Sequence, residues 1–188
     1  MVKLFSIGKK IREIRKEKKL TIYELAKSSG ISKSYLSKIE RAADPPPLST
    51  LYNIAKALNS SVSDLLGEKP QGGMISHVRK NEREVITRGT STSKYLYESI
   101  ANKYPNRHSE PFILTIPKHR DKKLISQHDS EELIYVLSGT LKFQYGEKTI
   151  YAIEGDALYI DGNVPHIGES CDGDQCVCLC VMIAANVK

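Results

Sequence analysis

Between Ser32 and Arg41 the chain reads SKSYLSKIER, and Lys33, Ser34, Ser37 and Lys38 in it are the side chains best suited to reading a nucleic acid. Lysine ammonium groups can donate to guanine O6 and N7, and a serine hydroxyl donates to or accepts from most base edges. Leu36 and Ile39 lie three apart, so a helix here has one apolar face while the four polar residues point elsewhere. Ser32 can cap it by accepting a backbone N–H. A short helix held by its apolar side and offering cations and hydroxyls outward suits the major groove of DNA. The cysteines form a second group with chemistry of its own, at positions 171, 176, 178 and 180. Cys176, Cys178 and Cys180 alternate, so on a strand they share one face with Met182. That pattern fits core packing, because a buried thiol acts as a small hydrophobe. It also fits a thiol sensor or soft-metal site reached by Cys171 across the CDGDQC turn. It matches neither a zinc ribbon nor a CxxC redox motif.

The elements that must position the first group flank it. Thr21 and Glu24 form a capping box at the start of a helix that Gly30 ends, which makes Leu20–Arg41 a helix, a tight turn and a second helix. Upstream, Ile7, Ile11 and Ile14 predict a helix from about Ser6 to Lys19, whose other faces carry Lys9, Lys10, Arg12, Arg15, Lys16 and Lys18. Downstream, the prolines of ADPPP interrupt helix because they lack N–H donors and restrict the residues before them. From Ser49 onward, Leu51, Ile54, Ala55 and Leu58 predict a fourth helix, and Val62, Leu65 and Leu66 a short fifth.

Composition is that of a globular protein, 40% hydrophobic over 188 residues, with a net charge of +6. The charge is uneven. Residues 1–67 carry 13 basic and 6 acidic side chains, or +7, and the remainder 15 and 16, or −1. A basic front half on a nearly neutral back half points to a polyanion-binding module joined to a module with another task. No apolar run approaches the roughly 18 residues that cross a bilayer, and no signal-peptide core opens the chain. A cytoplasmic protein with no membrane partner and reduced cysteines is therefore expected.

Residues 7–67 closely resemble the Cro/repressor-type, or XRE-type, helix-turn-helix family, through LTIYELAKSSGISKSYLSKIER followed by PPLSTLYNIAKALNSSVSDLL. The resemblance implies that the third helix enters the major groove of double-stranded operator DNA. It assigns base-edge contacts to Lys33, Ser34, Ser37 and Lys38, and phosphate contacts to Thr21, Tyr23 and Arg41, with Ser32 at the helix start. The chain has Ile22 where the family often has glutamine, and Ala42 and Ala43 where it favours glycine after the Glu-Arg pair. Glu40 is expected to be structural, because phosphates repel a carboxylate unless a neighbouring cation pairs with it.

GEKPQGG, rich in glycine and proline, is the natural boundary. The expected division is a DNA-binding domain over 1–67, a linker over 68–73 and a second domain over 74–188. In the second, short alternating runs at 83–87, 94–100, 111–117, 132–139, 140–146, 148–153, 156–160 and 176–183 indicate an all-β sandwich or barrel with no convincing helix. SQHDSEELIYVLSG and GDALYIDGNVPHIGES resemble the two motifs of the cupins. Ser126 stands at the first histidine position, and His128, Glu132, Gly139, Gly155 and His166 match. Asp161, Asn163 and Ser170 replace the family's proline, glycine and asparagine. The expected fold class is α+β in two domains, an all-α five-helix bundle and an all-β double-stranded β-barrel.

The cupin resemblance implies a pocket around His128, Glu132 and His166. Two imidazoles and one carboxylate can hold a divalent transition metal with positions open, or, without a metal, hydrogen-bond an organic effector. Tyr135 and Tyr159, near the motifs, are candidates to line the same cavity. Together the modules predict a non-enzymatic transcription regulator that senses a small-molecule effector and acts as a homodimer, since one recognition helix spans only a few base pairs. A metal-dependent cupin enzyme carrying a DNA-binding domain is the alternative. An adaptor that no longer binds DNA is disfavoured by the +7 front half.

Overall fold

A computed structural model of the chain describes residues 7–41, 46–66, 75–88, 95–104, 107–118, 125–173 and 175–184. The chain divides into two compact units, Met1–Ser76 with Asn102–Asn106, and His77–Ala101 with Arg107–Lys188. The segment expected to be a linker, 68–73, lies outside the described residues, as do Ala42 and Ala43.

The first unit is helical. Helices α1 (Ile7–Glu17), α2 (Ile22–Ser28), α3 (Lys33–Arg41), α4 (Leu48–Ala57) and α5 (Val62–Leu66) each bury the stripe that their periodicity marks out. Ile11, Leu25, Leu36, Leu51, Ile54, Leu58 and Leu65 are fully buried between them. Thr21 caps α2 as expected: Glu24 N donates to Thr21 Oγ1 at 3.2 Å, and Thr21 N donates to Glu24 Oε2 at 2.7 Å. Ser32 caps α3, accepting from Tyr35 N at 3.1 Å. Two contacts fix α3 against α1. Gly8 allows close approach, because a methyl group there would overlap the Ile39 carbonyl oxygen. Arg15 then donates to both oxygens of Glu40, Nε to Oε1 at 2.6 Å and Nη2 to Oε2 at 2.9 Å, while Nη1 donates to Leu20 O at 2.9 Å. The structural role expected of Glu40 is thus a forked ion pair between helices, with only 5% of its side chain exposed.

The second unit contains two antiparallel sheets. Strands β1 (Glu84–Arg88), β2 (Tyr95–Ser99), β3 (Ser109–Pro117), β4 (Ser130–Ser138), β7 (Ala157–Asp161) and β9 (Gln175–Ala184) form one, ordered β1-β2-β3-β9-β4-β7. Strands β5 (Leu141–Tyr145), β6 (Lys148–Ala152) and β8 (His166–Ser170) form the other, ordered β6-β5-β8. Alternation places Phe112, Leu114, Ile116, Ile134, Val136, Cys176, Cys178, Cys180 and Met182 on the buried face of the large sheet. Leu141 and Phe143 are buried on the small one.

Two expectations change. The described strands form two sheets and not one closed barrel, and the link from the small sheet to the chain before β4 is an isolated bridge between Ser126 and His166. Period-two alternation tells which face of a strand is buried, not which edges pair. Strand β8 is an addition to the expected strands: HIGES, with one aliphatic residue and a glycine, carries no strand pattern of its own. A 3₁₀ turn at Lys80–Glu82 is the one helical segment among the described residues of this unit. No helix of the described residues is long and apolar enough to cross a membrane.

Removing one partner of a buried ion pair leaves the other charge uncompensated, at a cost of about 3 kcal/mol. Glu40→Ala is therefore expected to destabilise the helical unit by about that amount in urea denaturation followed by helix ellipticity, with Glu40→Gln costing less. A change below about 0.5 kcal/mol would show that the fork does not hold α1 to α3.

Candidate functional site

On the helical unit, α3 displays Lys33, Ser34 and Lys38 in solvent, with Ser37 half-buried beside them. Leu36 and Ile39 face the core, so the predicted polar and apolar faces are separated as expected. Arg41 is exposed and its Nε donates to Ser37 O at 3.1 Å, which holds the guanidinium along the helix. Ser32 Oγ and Ser34 Oγ are 3.0 Å apart, one hydroxyl donating to the other. Tyr23 is 62% exposed on α2. Thr21 is more committed: its hydroxyl accepts from Glu24 N and donates to Glu24 Oε2 at 2.7 Å, so its first task is the cap.

In the β unit, the chain before β4 supplies His128, β4 supplies Glu132, and the start of β8 supplies His166. These side chains converge between the two sheets, with one ligand atom from each within 4.8 Å of the others and all three buried. His128 Nε2 lies 3.1 Å and His166 Nε2 3.6 Å from the same oxygen, Glu132 Oε2. The rings meet edge to face, their centroids 5.1 Å apart. Each ring is also held from behind. His166 Nδ1 lies 2.8 Å from the Val164 carbonyl, which can only accept, so Nδ1 carries a proton. With Nδ1 protonated, Nε2 is the nitrogen that faces the carboxylate, as a donor when the ring carries a second proton and as a cation ligand when it does not. His128 Nδ1 is 2.5 Å from Ser130 Oγ.

Burial alone would raise the Glu132 pKa, but hydrogen bonds and charge from His128 and His166 bring it down to about 2. A buried anion facing two imidazole nitrogens calls for positive charge between them, either protons on the rings or a cation. The donor set, two nitrogens and one carboxylate oxygen, is the kind that holds a divalent transition metal with positions left open. Ser126, at the position where the cupins carry another histidine, pairs with the His166 backbone at 2.8 and 2.9 Å.

The structure does not bring Tyr135 and Tyr159 into this site. Inward residues of β4 are Ser130, Glu132, Ile134 and Val136, and Tyr135 lies one residue out of phase, 40% exposed. On β7, Ile160 pairs with Glu132 and faces inward, while Tyr159 is 60% exposed and donates to Glu131 Oε2 at 2.6 Å. Shifting by one residue along a strand reverses the face, which proximity to a motif does not reveal.

Several contributors escaped sequence reasoning. Ser130 and the Val164 carbonyl orient the imidazoles, and Gly162 leaves room for one: a methyl group there would overlap His128 Nδ1 and Cε1 and lie 2.5 Å from the Ser130 carbonyl. Cys180 donates from Sγ to Glu132 Oε1 at 2.8 Å. Its alternation with Cys176 and Cys178 marked it as inward, but only the pairing of β9 with β4 sets it beside Glu132. Burial first, then the Glu132 charge and hydrogen bond, raise the Cys180 pKa well above that of a free thiol. Cys176 and Cys178 sulfurs are 3.7 Å apart, and Cys171 is exposed on the turn after β8.

A helix-turn-helix with an exposed polar and basic face in one unit and a buried site of two histidines and a carboxylate in the other fit a regulator of transcription, and comparison with known proteins agrees. The helix-turn-helix family matches residues 11–65 and the cupin domain residues 112–182. The HTH-type transcriptional regulator SinR of Bacillus subtilis is 37% identical over 94 residues, covering 47% of this chain and 85% of SinR. The HTH-type transcriptional regulator PuuR of Escherichia coli is 26% identical over 159 residues, covering 85% of this chain and 84% of PuuR. An HTH_3 family transcriptional regulator from Vibrio cholerae shares the fold, with a TM-score of 0.65 at 21% identity over 98% of both chains. The chain belongs to the helix-turn-helix transcriptional regulators: it is a DNA-binding regulator of transcription with a cupin domain.

Gly162→Ala forces either the His128 ring or β4 to move, and overpacking of this kind costs about 1–3 kcal/mol. The variant is expected to lower the thermal midpoint of the β unit by several degrees, about 4 °C or more. An unchanged midpoint in calorimetry would show that the His128 position is not constrained from that side.

Proposed function

We propose that this regulator reads its operator with α3 and adjusts its affinity for it through a small molecule bound in the cupin domain, at a site built on His128, Glu132 and His166. The observation that carries the second part is the convergence of both Nε2 atoms on one buried carboxylate oxygen. In the first part, Lys33, Ser34, Ser37 and Lys38 contact base edges, while Ser32, Tyr23, Arg41 and the Thr21 cap fix register on phosphates. His128, Glu132 and His166 would hold a divalent transition metal. Such an ion would supply Lewis acidity and coordination positions for a polar effector. The chain's own part is to bury the charge, to orient His166 through the Val164 carbonyl, and to exclude water from the carboxylate.

The regulator acts as a homodimer, so that two recognition helices meet a palindromic operator about one helical turn apart. The outward face of the large sheet supports this reading: Tyr135, Leu137 and Tyr159 are exposed there, with Leu133, Leu179 and Val181 half-buried beside them. Effector binding shifts DNA affinity by its differential affinity for the arrangements the dimer adopts. An enzyme reading rests on the same three residues. The regulator names borne by relatives, PuuR among them over 85% of this chain, favour sensing over turnover.

Two measurements test the proposal. With a duplex selected from a random pool by the wild-type protein, Lys33→Ala with Lys38→Ala is expected to lower affinity at least about thirtyfold at physiological salt, two contacts at about 1 kcal/mol or more each. Unchanged affinity would overturn the groove assignment. Protein purified without a histidine tag and stripped with chelator is expected to take up about one equivalent of a divalent transition metal, and His128→Ala to lose that uptake. Less than about a tenth of an equivalent in wild-type protein would overturn the metal site.

A further inference from the structure

Glu132 is gripped on both oxygens by different chemistry. Oε2 faces the two imidazoles, and Oε1 accepts a hydrogen bond from Cys180 Sγ at 2.8 Å. Cys180 sits on β9 opposite Ile134, two register positions from the Glu132–Met182 pair and so on the same face, with its residue 1% exposed. A free carboxylate can bind a metal ion through one oxygen or both, and that choice sets how many coordination positions remain for an outside ligand. An S–H donor on Oε1 ties up one of the two. It also lies at the oxygen that the imidazoles do not approach, so it is placed to hold the carboxylate and not to replace the histidine that Ser126 lacks.

We propose that Cys180 is a positioning residue for this carboxylate, restricting Glu132 to coordination through Oε2 and so keeping an additional metal position open for the effector. The inference rests on the metal reading of His128, Glu132 and His166. Partners behind a first ligand commonly change metal affinity tenfold to a hundredfold, which makes the effect measurable. Ser130 and the Val164 carbonyl play the corresponding part for the imidazoles, so with Cys180 every first ligand has a fixed partner.

The test uses the full chain in a Cys171→Ser background, which removes the exposed thiol, loaded with Co(II) as a spectroscopic probe. Cys180→Ala and Cys180→Val both delete the donor, one by leaving space and one by filling it, while Cys180→Ser keeps a donor. The expected result is that the parent binds one Co(II) with no sulfur-to-metal charge-transfer band. Both donor deletions should shift the ligand-field spectrum and change affinity in chelator competition by about tenfold or more, and Cys180→Ser should restore the parent spectrum. A ligand-field spectrum and affinity unchanged in whichever deletion variant folds would overturn the positioning role and leave the metal reading standing. A charge-transfer band that Cys180→Ser abolishes would make the thiol a ligand and overturn it also. Failure of the parent to bind Co(II) would overturn the metal reading itself, and this inference with it.

Discussion

Taking an ionised carboxylate out of water costs several kcal/mol unless positive charge or strong donors meet it, and each unit of this protein buries such a group beside the residues that matter most to it. In the helical unit it is Glu40, answered by the fork of Arg15. In the β unit it is Glu132, answered by two imidazoles on one oxygen and a thiol on the other. The difference between the answers separates scaffold from site. A guanidinium is always charged and matches the carboxylate in shape, so Glu40 is fully satisfied and has nothing further to bind. Imidazoles are charged only when protonated, and they can exchange that proton for a metal ion, so Glu132 stays open to a ligand.

That distinction divides the labour along the chain. The Arg15–Glu40 fork, with the close approach at Gly8, locks α3 to α1 on the buried side of α3, opposite its exposed polar face. A helix that reads base edges must be held rigidly, because such a hydrogen bond tolerates only small errors in position. In the β unit, one histidine comes from each side of the gap between the sheets, His128 leading into β4 and His166 opening β8. A ligand that drew these groups together would pull on both sheets, which gives occupancy a mechanical route into the rest of the unit.

The cysteine row shows how one feature acquires two meanings. Cys176 and Cys178 lie against each other among buried side chains, where they pack as small hydrophobes. Cys180, two residues on along the same face, meets the carboxylate. Alternation predicted that all three would share one face, and they do, with that face buried. What it could not carry is that the third lies beside Glu132, because that follows from the antiparallel register of β9 on β4, some 50 residues away in sequence.

By itself the sequence determined the local features: the capping box at Thr21 and Glu24, the polar face of α3, the helical stripes, and the approximate extents of most strands. These follow from spacing within one or two turns of chain, and the quoted motifs added His128, Glu132 and His166 by family likeness. Tertiary structure decided whatever depends on pairing between distant segments. It arranged the strands in two sheets instead of one closed barrel, made a strand of HIGES, turned Tyr135 and Tyr159 away from the site, and brought Ser130, Gly162 and Cys180 into it. The physical reason is that a strand's face is fixed by its own period of two, whereas its neighbour and register are fixed by the whole sheet.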